Sequence, residues 1–286
     1  MSIRCSYEFF PPANAIGERR FWRTLGCLET LDPSFFSITY GALGSAQDNS
    51  ITTIANVMAE SNVPVAAHLT FEGSTRAEIN AVATRLRDQG VDKIVALRGD
   101  DRDNAASAAT RGPVYHNVAE FIAGILDIHP FDISVACYPE VHPRAASADA
   151  DIDALKRKVD AGASRAITQF FFDIEALERF QERVDAAGIN VLVVPGILPV
   201  RDFNKMVQFA QRCGTVVPES MARYFQPAID DPTLAAGFAR AHAEEFIDAL
   251  HQRGYDHFHI YTLNQPIELA QCAVRAQPAL SNVALA

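Results

Sequence analysis

Eight short apolar runs, each stopped by a polar residue, glycine or proline and followed by a helix-compatible stretch, constrain this chain more than any other feature. They cover Arg4 to Phe10, Phe35 to Tyr40, Val63 to Leu69, Ile94 to Leu97, Asp132 to Tyr138, Arg165 to Phe172, Val191 to Gly196 and Phe258 to Leu263. The fourth has the length and branching of a strand buried on both faces, and runs straight into Arg98, Gly99, Asp100 and Asp101. Between the strands, helices are expected near 18–31, 51–60, 75–88, 117–128, 148–161, after Asp173 and near 202–212, with two more at 219–225 and 232–253. Alternating strands and helices build a parallel sheet covered by helices. A (β/α)₈ barrel needs about 250 residues, which 286 residues supply. The expected fold is therefore a single (β/α)₈ TIM barrel over 1–286 with extra C-terminal helical segments and no regulatory domain. Periodicity alone leaves a doubly wound open sheet as the alternative.

In parallel α/β folds, chemistry gathers at the carboxyl ends of strands. Here those ends carry Glu8, Thr39, Tyr40, His68, Arg98, Asp100, Tyr138, Gln169 and Tyr261, more hydrogen-bonding groups than packing requires. Singly, His68 reads equally well as a satisfied core histidine, and Tyr138 as a cap on the barrel. Glu8 sits among Tyr7, Phe9, Phe10 and Pro11, neighbours expected to raise its pKa and suit it to general-acid work near neutral pH. An ion pair with an arginine across the rim is the alternative. Lys156, Arg157 and Lys158 follow Asp149, Asp151 and Asp153 on a predicted helix, and spacing alone reads them as a solvated face. Asp101 to Pro113, rich in Asp, Ala, Ser and Gly, is expected to be a mobile loop.

Composition removes several classes of function. With 35 acidic against 25 basic side chains, net −10, and no long basic run, nucleic acid and anionic membrane are disfavoured as partners. No signal-peptide pattern opens the chain, and the most apolar run, Val191 to Val200, is too short to span a bilayer, so a cytoplasmic location is expected. Five widely spaced cysteines without a Cys-x-x-Cys pair point to reduced thiols and no metal site. Neither Gly-x-Gly-x-x-Gly nor a Walker A loop is present, so a nucleotide cofactor would be held by other means.

Eight motifs in register carry a family resemblance: Ser-Tyr-Glu-Phe-Phe-Pro-Pro (6–12), Ser-Ile-Thr-Tyr-Gly-Ala (37–42), Ala-His-Leu-Thr (67–70), Val-Ala-Leu-Arg-Gly-Asp (95–100), Tyr-Pro-Glu-Val-His-Pro (138–143), Leu-Lys-Arg-Lys-Val-Asp-Ala-Gly-Ala (155–163), Ile-Thr-Gln-Phe-Phe-Phe-Asp (167–173) and Pro-Gly-Ile-Leu-Pro (195–199). Over nearly its whole length the chain resembles the methylenetetrahydrofolate reductases of the bacterial flavoprotein type. The resemblance implies FAD bound at the carboxyl rim by Thr39, His68, Arg98, Gly99, Asp100, Tyr138, His142, Asp151, Arg157 and Lys158, with Tyr115 and Ala163 nearby. It implies reduction of 5,10-methylenetetrahydrofolate to 5-methyltetrahydrofolate by NADH or NADPH in a ping-pong sequence, supplying methyl groups for methionine synthesis. Glu8 would be the proton donor and Asp100 an electrostatic partner of flavin and pterin. Gln169, Lys205, Phe209, Tyr261 and Gln265 would meet the substrates.

Two positions depart from the family pattern. Lys205 stands where better-known bacterial members have glutamine, which bears on the pterin or nicotinamide contacts, and Gln265 where they have arginine, which bears on how the folate glutamate tail is held. A flavin-independent, pterin-dependent methyltransferase on a TIM barrel is the alternative reading. The choice between NADH and NADPH stays open, and the sequence is compatible with a homo-oligomer.

Overall fold

The structure, a computed structural model, describes residues 3–40, 45–99 and 110–264. Seven parallel strands follow one another in sheet order as in sequence: β1 (Arg4–Phe9), β2 (Phe36–Ile38), β3 (Val65–Thr70), β4 (Lys93–Leu97), β5 (Asp132–Cys137), β6 (Ala163–Thr168) and β7 (Leu192–Val194). The seam is made by β8 (Gly196–Ile197) and β9 (His257–Tyr261), with β8 pairing β9 and β9 pairing β1. Only Pro195 separates β7 from β8, so one extended segment pairs first with β6 and then with β9. Proline has no N–H to offer a ladder, but its carbonyl still accepts from His259 N at 2.9 Å. The chain is thus a (β/α)₈ barrel whose seventh strand, expected as continuous over Val191 to Gly196, is interrupted at that proline.

Helices α1 (Ala15–Glu29), α2 (Ser45–Glu60), α3 (Arg76–Asp88), α4 (Val118–Leu126), α5 (Ala148–Asp160), α6 (Ile174–Ala186), α7 (Phe203–Cys213), α8 (Glu219–Phe225) and α9 (Pro232–His251) surround the sheet. Most start on a side-chain cap: Asn14, Thr75 with Glu78 in a capping box, Asn117, Ser147, Asp173, Asp202 and Asp231. Each such cap stabilises its helix by about 1 kcal/mol. The first helix begins three residues earlier than the apolar pattern suggests because Asn14 accepts from Gly17 N. No helix among the described residues is long and apolar enough to cross a membrane.

Side chains alternate in and out along each strand. Outward-facing Tyr7, Phe9, Phe36, Ile38, Ile94, Ile133, Val135 and Phe258 join the main core against the helices. Inside, Phe35, Ala66, Val95, Ile167 and Val194 form a separate apolar plug. Below the plug the interior is polar: Arg165 donates to Ser134 Oγ at 2.9 Å and pairs with Asp132, while its guanidinium lies 5.4 Å from the Phe35 ring centroid.

The buried His257 belongs to this lower layer, and neither of its ring nitrogens has a hydrogen-bond partner among the described residues. Burial, then the charge of Arg165, pushes its pKa down to about 4. In the unfolded chain the ordinary value of about 6.5 returns, so the unfolded state takes up the proton first. The contribution is fully present above about pH 6.5 and is lost as pH falls toward 4, by up to ~3 kcal/mol. Urea unfolding across this window is expected to show the loss, and His257→Gln should flatten it; an unchanged slope in the variant would assign acid sensitivity elsewhere.

At the seam, a Cβ on Gly196 would lie 2.2 Å from the Thr168 carbonyl oxygen and 2.6 Å from the Tyr261 ring. Gly196→Ala is therefore expected to cost about 3 kcal/mol or more in unfolding free energy. A variant with wild-type stability would show that β8 can retreat without loss.

Candidate functional site

Above the apolar plug, the inward positions at the strand ends surround a cavity of about 380 Å³. Glu8 of β1 lies at its floor between His68 of β3 and His259 of β9, with Tyr138, Gln169 and Tyr261 around the wall. The register pairs Glu8 with Ser37 on one side and Tyr261 on the other. Thr262 Oγ1 donates to the Glu8 carbonyl at 2.5 Å, anchoring the end of β1 to the end of β9.

The Glu8 carboxylate is 14% exposed and lies 3.5 Å from His68 Nε2 and 3.8 Å from His259 Nε2, contacts longer than ordinary hydrogen bonds. Burial alone pushes its pKa up, but the interaction with His259, followed by the charges of His68 and His259, outweighs burial and holds the carboxyl below its ordinary value. This reverses the raised pKa expected from sequence. For His68, burial outweighs the attraction of Glu8 and lowers its pKa, so the resting pair is a carboxylate beside a neutral imidazole. His259 Nδ1 lies 2.7 Å from Ser6 Oγ. The Ser6 hydroxyl, which also donates to the Phe258 carbonyl at 3.4 Å, holds the His259 ring with its Nε2 toward Glu8. Ser6 and His259 were absent from the sequence-derived site, although each stands two residues before a rim residue on the same strand face.

The Tyr261 hydroxyl donates to the Thr168 carbonyl at 2.7 Å, and burial, then the Glu8 charge, keeps it protonated far into the alkaline range. Gln169 accepts from Phe170 N through Oε1 at 3.0 Å, which leaves its NH₂ for a ligand. Phe209, on α7, stacks on Phe170 at 5.2 Å and stays 40% exposed at the mouth.

A second cavity of about 650 Å³ shares Leu97, Ala136, Tyr138 and Gln169 with the first and also includes Arg98, Gly99, His142, Asp151 and Lys158. Among the described residues Lys158 donates to Ala136 O at 2.9 Å and forms no ion pair; burial pushes its pKa down, opposed in part by Cys137 and the Asp151 carboxylate. A half-buried ammonium facing the cavity can meet an anion there. Asp151 accepts from His142 N at 2.9 Å, and the His142 ring packs edge-on to Tyr138 at 4.5 Å. Arg98 is oriented by Glu72 at 2.7 Å. Gly99 has φ +93°, and a Cβ there would meet Thr70 at 3.0 Å, so the backbone can approach a ligand as no larger residue would allow. A cation, an aromatic wall and a glycine cradle fit a dinucleotide such as FAD.

Several residues expected at the cofactor lie elsewhere. Tyr115 is buried under α3 and α4, with its hydroxyl donating to Asn80 Oδ1 at 2.7 Å and the Arg76 guanidinium over its ring. Ala163 opens β6, at the amino end of the barrel and away from the rim. Arg157 is exposed on α5, and Thr39 is half-buried with its N–H bonded to Phe9 O; neither lines these cavities. Lys205 points to solvent and pairs with Asp202 at 3.0 Å, beside a third cavity. Asp100 and Gln265 lie outside the described residues, as does most of the expected loop of Asp101 to Pro113. Among the described residues no cluster of His, Cys, Asp and Glu could hold a metal ion.

Comparison with known proteins agrees with this geometry. A solved protein of Clostridium thermocellum described as binding two copies of 5-methyl-5,6,7,8-tetrahydrofolic acid shares the fold at TM-score 0.62, with 14% identity, over 96% of this chain and 94% of that one. The 5,10-methylenetetrahydrofolate reductases of Salmonella typhimurium and Escherichia coli are each 39% identical over 263 residues, 92% of this chain and 87% of theirs. The family model for methylenetetrahydrofolate reductase matches residues 1–275. With the acid, its two histidines and the adjoining cavity at the barrel rim, the chain belongs to the methylenetetrahydrofolate reductase family.

Proposed function

We propose that the protein reduces 5,10-methylenetetrahydrofolate to 5-methyltetrahydrofolate, with NADH or NADPH as electron source and FAD as cofactor. The observation that carries this reading is a nearly buried carboxylate between two histidines, on the floor of a cavity continuous with one that presents a half-buried lysine. Lys158 and Arg98 would meet the FAD diphosphate and ribose, His142 and Tyr138 would wall it, and the Gly99 backbone would approach it. Bound there, FAD would accept hydride from the nicotinamide and return it to the folate methylene carbon. The two substrates would use the same 380 Å³ cavity in turn, which gives ping-pong kinetics.

Glu8 would protonate the ring nitrogen that leaves as the folate five-membered ring opens to an iminium. Its resting state is the carboxylate, so a proton must arrive first. Flat rings filling the cavity would exclude water and disfavour the buried charge, raising the Glu8 pKa when the acid is needed. That proton would be taken from solvent as the cavity fills, with the His259 ring, held on Ser6 at 2.7 Å, kept against the carboxylate. Gln169 would offer its NH₂ to the pterin or nicotinamide, and Phe209 a face for the adenine or aminobenzoyl ring. Tyr261, fixed on Thr168, would keep the pocket shape, and Asp100, next in the chain to Gly99, would favour the cation electrostatically.

Purified protein is expected to be yellow with a flavin spectrum. A colourless preparation that cannot be reconstituted with FAD would instead favour the flavin-independent methyltransferase. Glu8→Gln should still let NADH or NADPH bleach the flavin in stopped flow, while reoxidation by methylenetetrahydrofolate slows by about 10³-fold, the range of a lost general acid. Wild-type reoxidation in that variant would remove Glu8 from the role.

A further inference from the structure

Within the Tyr-Pro-Glu-Val-His-Pro motif, Tyr138, His142 and Pro143 line the 650 Å³ cavity, whereas Glu140 lines neither rim cavity. Its half-buried side chain turns instead to the segment after α7, where Oε1 accepts from Val216 N at 3.0 Å. Burial raises its pKa; the Val216 N–H opposes that shift and Asp173 adds to it. Three consecutive residues of the segment are engaged. Gly214, in the left-handed region at φ +73°, lies so close to Pro143 that a Cβ would come within 2.6 Å of its ring. Thr215 Oγ1 donates to Phe170 O at 3.1 Å. Val216 gives its N–H to Glu140 while its side chain stays 61% exposed. The segment directly follows α7, whose Arg212 and Cys213 line the 650 Å³ cavity and whose Phe209 lines the 380 Å³ one.

We propose that Glu140 is a positioning residue that fixes α7 against the 138–143 loop, aligning the FAD wall of Tyr138 and His142 with Phe209 at the substrate mouth. The proposal rests on the reductase reading above. Packing of Pro143 on Gly214 holds the two segments together but is non-directional, whereas the hydrogen bond fixes how they are set. Phe209 stands about one turn before the end of α7, so a shift at the tie is carried to its ring by the rigid helix. Glu140 itself reaches neither cavity, so its effect is on binding geometry and not on the chemical step.

The test measures FAD release, and KM and kcat for methylenetetrahydrofolate, in the wild-type holoenzyme and in Glu140→Ala, Glu140→Gln and Val216→Pro. Glu140→Ala should speed FAD release and raise the folate KM, each about tenfold, the range of one hydrogen bond to a charged group, with kcat at saturating FAD and folate within about twofold of wild type. Glu140→Gln should restore both, because its amide oxygen still accepts from Val216 N. Val216→Pro removes the same bond from the other side. It should reproduce the alanine effect, and the double variant Glu140→Ala/Val216→Pro should be no worse than either single one. Additive losses in the double variant, a Glu140→Gln enzyme as impaired as Glu140→Ala, or a fall in kcat with FAD release and KM unchanged would each overturn the positioning role. If Glu140→Ala fails to fold, wild-type FAD release and KM in Val216→Pro would overturn it. Failure of the wild type to bind FAD or to reduce methylenetetrahydrofolate would overturn the reductase reading and the positioning role with it.

Discussion

The pairing of the first strand with the last holds both the barrel and its acid in place. Five register pairs, from Arg4 with His257 to Glu8 with Tyr261, join segments about 250 residues apart in sequence. Without them Glu8 would lose His259 and the Thr262 anchor together, and the sheet would have two open edges. The opposite side of β9 meets only the two-residue β8, packed so closely that Gly196 can carry no side chain. Structure and chemistry therefore converge on one seam, which is why the interior turns polar there while Val95 and Ile167 keep the rest of the plug apolar.

How far the fold could be read in the sequence depended on the scale of the question. The alternation of apolar strand and helix stretches gave the barrel and the rim, because burial on both faces leaves a plain mark on composition. The environment of Glu8 left no such mark. Its sequence neighbours Tyr7 and Phe9 are apolar, but on a strand adjacent residues face opposite sides, and both point toward the helices. The groups that act on the carboxylate, His68 and His259, come from other strands. Reading the pKa from local composition thus gave the wrong direction.

The basic triplet on α5 shows the same limit. Lys156 pairs with Asp160 and Arg157 is exposed, as a solvated face would predict, yet Lys158 turns inward to Ala136. A helix rotates about 100° per residue, so three consecutive cations cannot share one environment. The resemblance implies Arg157 and Lys158 at a cofactor; of these, Lys158 lines the cavity and Arg157 does not. Tyr115 and Ala163 line neither cavity for a related reason, since closeness along a motif does not choose the end of the barrel a residue occupies.

The seam also has a temporal meaning. Contacts between residues 4–8 and 257–261 are among the most non-local a chain of 286 residues can make, and such closures come late because so much chain must be ordered first. During synthesis, β1 can find β2 as soon as both emerge, but Glu8 gains its His259 neighbour only when β9 is available. An abbreviated nascent chain thus holds most of the sheet and none of the finished acid, so competence arrives in one step with the final strand.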